Sequence, residues 1–207
     1  HTAKVYVPPA LHPSEISDLL DRNQIQLAPE VAALYGQIEE ANVIWELASS
    51  DAHTISQFRD DPWIKTQYLD DGYDWGVVHE MLSGGLGVQP LSYILNDEWI
   101  RSQGYYYSFK NMGRDHKEVV VLDLHWTLTA LLRVENGVVL DEVWLHNSDA
   151  HSLTPMNMGV AEYMKSCFEL KGMYHWQEAL LWGKKAEAHQ MIKRFLGRIF
   201  PNTTPQL

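Results

Sequence analysis

From Val120 to Val134 the chain alternates. Val120, Leu122, Leu124, Trp126, Leu128, Ala130, Leu132 and Val134 are apolar at every second position, and Asp123, His125, Thr127, Thr129 and Arg133 lie between them. Only an extended strand puts alternate residues on one side, so the pattern predicts β structure with one buried face. The run outlasts an ordinary strand, which predicts a bend near His125–Thr127. Glu135-Asn136-Gly137 follows, and Asn-Gly tolerates the positive φ of a tight hairpin turn. Val138 to His146 is then the returning strand.

On either side the apolar spacing turns helical. Pro13-Ser14-Glu15 opens a helix, with Ser14 as the N-cap and Ile16, Leu19 and Leu20 on one face, ending at Asn23. A second helix begins near Pro29 and carries Val31, Leu34, Tyr35 and Ile38. Val43-Ile44-Trp45 reads as a short strand. Residues 49–76 are the least regular, punctuated by Asp60-Asp61-Pro62 and Asp70-Asp71-Gly72, and they predict a loop. Ser83-Gly84-Gly85-Leu86-Gly87 predicts a tight turn into a strand through Val88 and Leu91–Ile94. Beyond the hairpin, Pro155 opens a helix that Gly172 ends. A last helical pattern runs from about Tyr174 to Phe200, bent at Gly183. Helices, then mostly strands, then helices predict an α+β fold with a central, predominantly antiparallel twisted sheet flanked by N-terminal and C-terminal helices. The expected organisation is one α+β domain over residues 1–183, with a basic helical extension over 184–207 packed on or beside it.

Charge adds an asymmetry to this picture. The chain carries a net charge of −11. Residues 1–150 hold 23 acids against 9 bases, whereas residues 151–207 hold 4 against 7. Ten acids fall between Glu39 and Glu80, opposed there only by Arg59 and Lys65. Such a surface repels nucleic acid and anionic lipid and steers towards basic partners. Trp63, Tyr68, Tyr73 and Trp75 are interleaved with these acids, and aromatic residues are enriched at interface hot spots. Asp60, Asp61, Trp63, Tyr68, Asp70, Asp71, Tyr73, Asp74 and Trp75 are therefore the candidate partner-binding residues. The bases of the last helix either sit over the chain's own acids or stay solvated. The single cysteine, Cys167, excludes an intramolecular disulfide and suits a reducing, cytoplasmic compartment. No apolar run is long enough to span a membrane.

Candidate chemistry is sparse. The glycine run matches neither phosphate-binding nor dinucleotide-binding spacing, and no Lys-Ser or Lys-Thr pair follows it. His146, Asp149 and His151 could form a surface metal site, but turn-rich polar loops produce such clusters by chance, and chance is the favoured reading. Cys167 lies on the apolar stripe of its helix and reads as a small core residue. Asp123, inside an apolar strand, requires a partner if buried. No cofactor motif is present, and neither catalytic nor metal-binding residues are assigned.

Two stretches carry a resemblance. Ile25 to Gln37 (IQLAPEVAALYGQ), running on to Ile44-Trp45-Glu46, resembles the N-terminal signature of the SUKH superfamily, a helix bearing an aromatic residue followed by a strand with a tryptophan. Met158 to Gln177 (MGVAEYMKSCFELKGMYHWQ) is similar to that family's closing helix and the aromatic pair after it. Gly85-Leu86-Gly87-Val88 to Ile94 resembles the strand and turn between them. The chain departs from the pattern in three places: the usual proline after Leu27 is displaced to Pro29, the Asn-Gly position reads Glu40-Ala41-Asn42, and the basic helix beyond Gly183 is additional. The resemblance implies an α+β fold with a twisted central sheet and a non-enzymatic binding role. Many bacterial members are similar to immunity proteins that neutralise secreted toxins, often nucleases, and fungal members include a regulator of cell-wall glucan synthesis. It carries no catalytic residues onto this chain. The expected function is thus a protein-binding domain that occludes a basic toxin. The alternatives are a scaffold that assembles signalling or cell-wall factors, and a small hydrolase or metal-dependent enzyme built on Asp123, His125 or the His146/His151 cluster.

Overall fold

The alternating stretch folds into antiparallel strands. A computed structural model describes residues 2–46, 52–72, 74–75, 78, 81–125 and 128–203. Its strands are β1 (Thr2–Tyr6), β2 (Gln26–Leu27), β3 (Ala41–Glu46), β4 (Gly84–Val88), β5 (Val119–His125), β6 (Leu128–Glu135), β7 (Val138–Asn147) and β8 (Ser152–Pro155). They follow the order β1-β3-β4-β5-β6-β7-β2, with β8 also paired to β7. The β5–β6, β6–β7 and β7–β8 pairings are antiparallel, and β2 joins β7 in parallel. The fold is α+β with a central, predominantly antiparallel sheet. Among the described residues, no helix is long and apolar enough to cross a membrane. The chain packs into two compact units. One comprises Val5–Asn42 and Leu86–Ser166, and the other His1–Lys4, Val43–Gly85 and Cys167–Leu207. This division does not follow a boundary at residue 184.

In the first of these units, β5 ends at His125 and β6 begins at Leu128, so the chain reverses where the bend was expected. Trp126 and Thr127 lie outside the described residues. Asn136 and Gly137 have φ of 51° and 77°, both positive, and they pair Glu135 with Val138 across a two-residue turn. The expectation of a single buried face does not hold. Val119, Val120, Val121, Leu122 and Asp123 are all buried, as are Leu128 through Leu132. Consecutive residues on a strand point to opposite faces, so both faces are covered here, and Asp123 and Thr129, two polar members of the alternation, lie inside the protein.

Several helices differ from their predicted limits for local reasons. Helix α1 (Pro13–Asn23) is capped by His12 rather than Ser14. The His12 Nδ1 accepts from the Ser14 amide at 3.3 Å, and the Glu15 carboxylate accepts from the His12 amide at 2.8 Å. Helix α2 (Pro29–Tyr35) starts at its proline as expected. Leu91–Ile94 follows Pro90 as a helical turn rather than a strand. The aromatic stretch after it forms two short helices, Asp97–Ser102 and Gly104–Asn111; the Asn96 side chain caps the first by accepting from the Glu98 and Trp99 amides. Pro155 ends β8 instead of opening a helix. The helix starts at Val160 and runs to Glu169, and its first amide donates to Asp141 at 2.6 Å.

In the second unit the region expected to be a loop is largely helical. Ala52–Arg59 and Pro62–Ile64 are α-helical, and Lys65–Leu69 continues as a π-helical turn. The last pattern splits at Gly183, whose φ is +53°, into Trp176–Trp182 and Glu187–Ile199. The final helix buries Met191, Ile192, Phe195 and Leu196, so it is part of the core of this unit rather than an appendage. The glycines at positions 84 and 85 permit a close backbone approach. The Gly85 amide donates to the Gly172 carbonyl at 2.8 Å. Gly172 has φ of +55°, and a Cβ there would stand 2.1 Å from the Gly85 carbonyl oxygen.

Candidate partner-binding surface

Asp60-Asp61-Pro62 begins the segment that concentrates acid and aromatic residues. Pro62 suits a first helical turn, and the Asp61 side chain accepts from the Trp63 amide at 3.0 Å. That cap turns Asp61 inward, where it is 8% exposed. Arg194 reaches the same carboxylate through Nε at 3.0 Å, and Arg198 through a terminal nitrogen at 2.8 Å. The two arginines are one helical turn apart and converge on one carboxylate. Burial works against the charged form of Asp61, but hydrogen bonds from Arg194, the Trp63 amide and Arg198 outweigh it and hold the carboxyl below its usual range.

The aromatic members of the segment divide in the same way. Tyr68 is 3% exposed, and its hydroxyl donates to Glu187. Trp63 is half-buried, edge-on to Tyr68 with centroids 5.6 Å apart and 5.8 Å from Phe195. Trp75 is half-buried, and Tyr73 lies outside the described residues. Tyr68 and Asp61 thus serve the interior of the unit. Asp60, Asp70, Asp71 and Asp74 are exposed. Asp60 pairs with Lys65 at 3.1 Å, a solvent-exposed contact. Asp70 and Asp71 have no ion pair among the described residues, and they stand beside Gly72, whose φ of +94° turns the chain. The basic residues of the last helix gave the sequence signal for the Asp61 contact, but not which acid they meet.

The residues considered for chemistry are distributed through the other unit. Asp123 is fully buried. It accepts from the Tyr163 hydroxyl at 2.6 Å and from the Gly87 amide at 2.7 Å. Burial raises its pKa against the opposing effect of those two donors. Tyr163→Phe would leave the Gly87 amide as the donor the carboxylate keeps. The expected loss is about 2 kcal/mol of stability by urea unfolding. Tyr163 favours the charged form, so its removal raises the folded pKa of Asp123 further, and the loss should be greater at a pH above the folded value than at a pH near the unfolded value of about 3.9. An unchanged midpoint at both pH values would refute this role for Tyr163.

His146, Asp149 and His151 do not form a surface cluster. His146 is fully buried with its ring 5.5 Å from Phe109, whereas Asp149 and His151 are exposed. The His151 ring nitrogen Nδ1 is 3.0 Å from the Ser108 hydroxyl. Burial, helped by the nearby His151, pushes the His146 pKa down to about 4. The unfolded chain takes up this proton near pH 6.5 and the folded chain does not, so stability falls as pH drops from 6.5 towards 4. Between pH 6.5 and 5 the loss from this group is about 2 kcal/mol. A pH series of denaturant curves should show it, and His146→Leu should remove it; an equal slope in the variant would contradict this assignment. The His125 side chain lies outside the described set. Cys167 is buried and unbridged. Among the described residues no group of three or more His, Cys, Asp or Glu side chains is arranged to hold a metal ion. No protein-family model matches this chain, and no curated protein matches it.

Proposed function

We propose that the chain is a non-enzymatic, SUKH-like protein-binding domain. Its exposed acids at Asp60, Asp70, Asp71 and Asp74 engage a basic protein, as an immunity protein occludes a nuclease toxin. One observation carries the reading. Within a single short segment, Asp61 is neutralised inward by two arginines, while Asp70 and Asp71 are exposed at a turn with no ion pair among the described residues. Unpaired, exposed carboxylates steer a cationic partner and align it before contact. Half-buried Trp63 and Trp75 border the same segment and can add apolar contact at low cost in side-chain freedom. The buried, unbridged Cys167 suits a cytoplasmic site of action. A regulatory scaffold would use the same surface, and a toxin gene beside this one would separate immunity from scaffolding.

The test is retention of partner proteins from the native host on the immobilised chain, followed by salt elution. A basic protein bound one to one and released by raised salt is the expected result. A partner that is acidic, or that stays bound regardless of salt, would overturn the acidic-surface reading.

A further inference from the structure

A second site lies in the unit that holds the central hairpins, away from the acidic segment in sequence. The end of α1, the helical turns at Leu91–Ile94 and Asp97–Ser102, and the start of β5 enclose a cleft of about 520 Å³. Its floor is apolar: Ile94, Ile100, Val119 and Val120 are all buried and line it. Small-molecule sites are concave, largely apolar and about 300–1,000 Å³ in volume, with a few polar groups that fix orientation. The cleft meets the size, and these four residues supply the apolar part of a mixed lining.

Its polar lining includes two cations, Arg22 and Lys117, beside Asn23, Gln24, Asp97 and His116. Arg22 lies in the last turn of α1, and its Nε donates to the Asp18 carbonyl at 3.0 Å. Its terminal nitrogens have no acceptor among the described residues. Lys117 also lines the cleft, is exposed and has no ion pair among the described residues. Asp97 is the one acid lining the cleft, and it is already engaged. One of its oxygens is 3.4 Å from Arg101 and the other 3.6 Å from the His116 ring. In a chain of net charge −11, a cleft with two unpaired cations and an engaged carboxylate is a local reversal of sign.

We infer that this cleft binds a small amphipathic organic acid, with its apolar body on the valine and isoleucine floor and its carboxylate between Arg22 and Lys117. Arg101 and His116 already engage Asp97, so Arg22 and Lys117 are the cations to which a carboxylate would supply the counter-charge. Cations hold a carboxylate at the mouth while the floor removes the apolar body from water.

The test uses the full chain, isotope-labelled for amide NMR, and three matched probes: 4-phenylbutyrate, 4-phenylbutanol and 4-phenylbutylamine. The acid is expected to bind saturably, shift the amides of Gln24, Ile25, Leu95 and Val120, and exceed the alcohol in affinity by roughly tenfold. Arg22→Gln with Lys117→Gln should abolish that preference while leaving the alcohol unchanged. Leu95→Trp, which fills the mouth, should weaken both probes. Both cations are exposed, so the double variant should fold, and its amide spectrum checks this. Equal binding of acid and alcohol, preference for the amine, shifts confined to other surfaces, or no saturation by about 10 mM probe would each overturn the inference.

Discussion

Replacing Asp61 with alanine is expected to lower stability by about 3 kcal/mol, whereas Asp60→Ala is expected to change it by less than about 0.5 kcal/mol. The two residues are adjacent and chemically identical, so the contrast isolates environment. Asp60 makes one solvent-exposed contact to Lys65, and exposed pairs contribute little. Asp61 is buried, caps the Trp63 amide and receives both Arg194 and Arg198. Breaking a buried pair costs about 3–5 kcal/mol. The arginine side chains are 43% and 37% exposed and can turn to water, which reduces that to about 2. Loss of the cap adds about 1 kcal/mol. Arg198 also lies over the Phe58 ring at 4.6 Å and donates to the Gln57 carbonyl, so part of its packing survives the substitution.

The same contact predicts an acid-side signature. The folded pKa of Asp61 is below its unfolded value, so its stabilisation is complete above about pH 3.9 and is lost as pH falls through the folded value. Urea curves at pH 7 and pH 3 should therefore converge for Asp61→Ala relative to the parent. A variant within experimental error of the parent at pH 7 would show that the arginines do not depend on this carboxylate.

What was readable in the sequence was what depends on neighbours along the chain. The Asn136-Gly137 hairpin follows from two residues that tolerate positive φ between two alternating runs, and its turn and returning strand are as expected. Helix α2 begins at its proline for an equally local reason. The misses depend on distant groups. Asp61 meets Arg194 from 133 positions away, and its place before Pro62 marks it as a cap but not as the partner of two arginines. Residues 49–76 read as a loop because Asp60-Asp61-Pro62 and Asp70-Asp71-Gly72 punctuate them with turn residues, yet Pro62 and the Asp61 cap start helical turns in which Ile64 and Tyr68 are buried. Burial of both faces of β5 was likewise invisible. Alternation reports which side chains differ in polarity, and Asp123 is polar but satisfied inside by Tyr163 and Gly87. The nine candidate contact residues form an acidic and aromatic segment, and the sequence does not say which of their side chains face outward.

That division sets the decisive test of function. Asp60→Lys, Asp70→Lys and Asp71→Lys together should slow association with the basic partner by roughly 30-fold at low salt. At about 1 M salt, where the screening length is about 3 Å, the difference should shrink to about twofold. Dissociation should change far less, because exposed charges act mainly on encounter. Asp61 is excluded from this set, since reversing it would unfold the unit and mimic a binding defect. Asp74 is left in place because it has an interaction of its own. The reversed positions are exposed, and Asp60–Lys65 is the one ion pair among them in the described structure, so the triple variant should keep nearly the parent's unfolding midpoint. Slowed association at an unchanged midpoint would assign the surface to partner capture. Equal association rates at both salts would move the contact away from this face, because no other arrangement of these carboxylates leaves encounter indifferent to their sign.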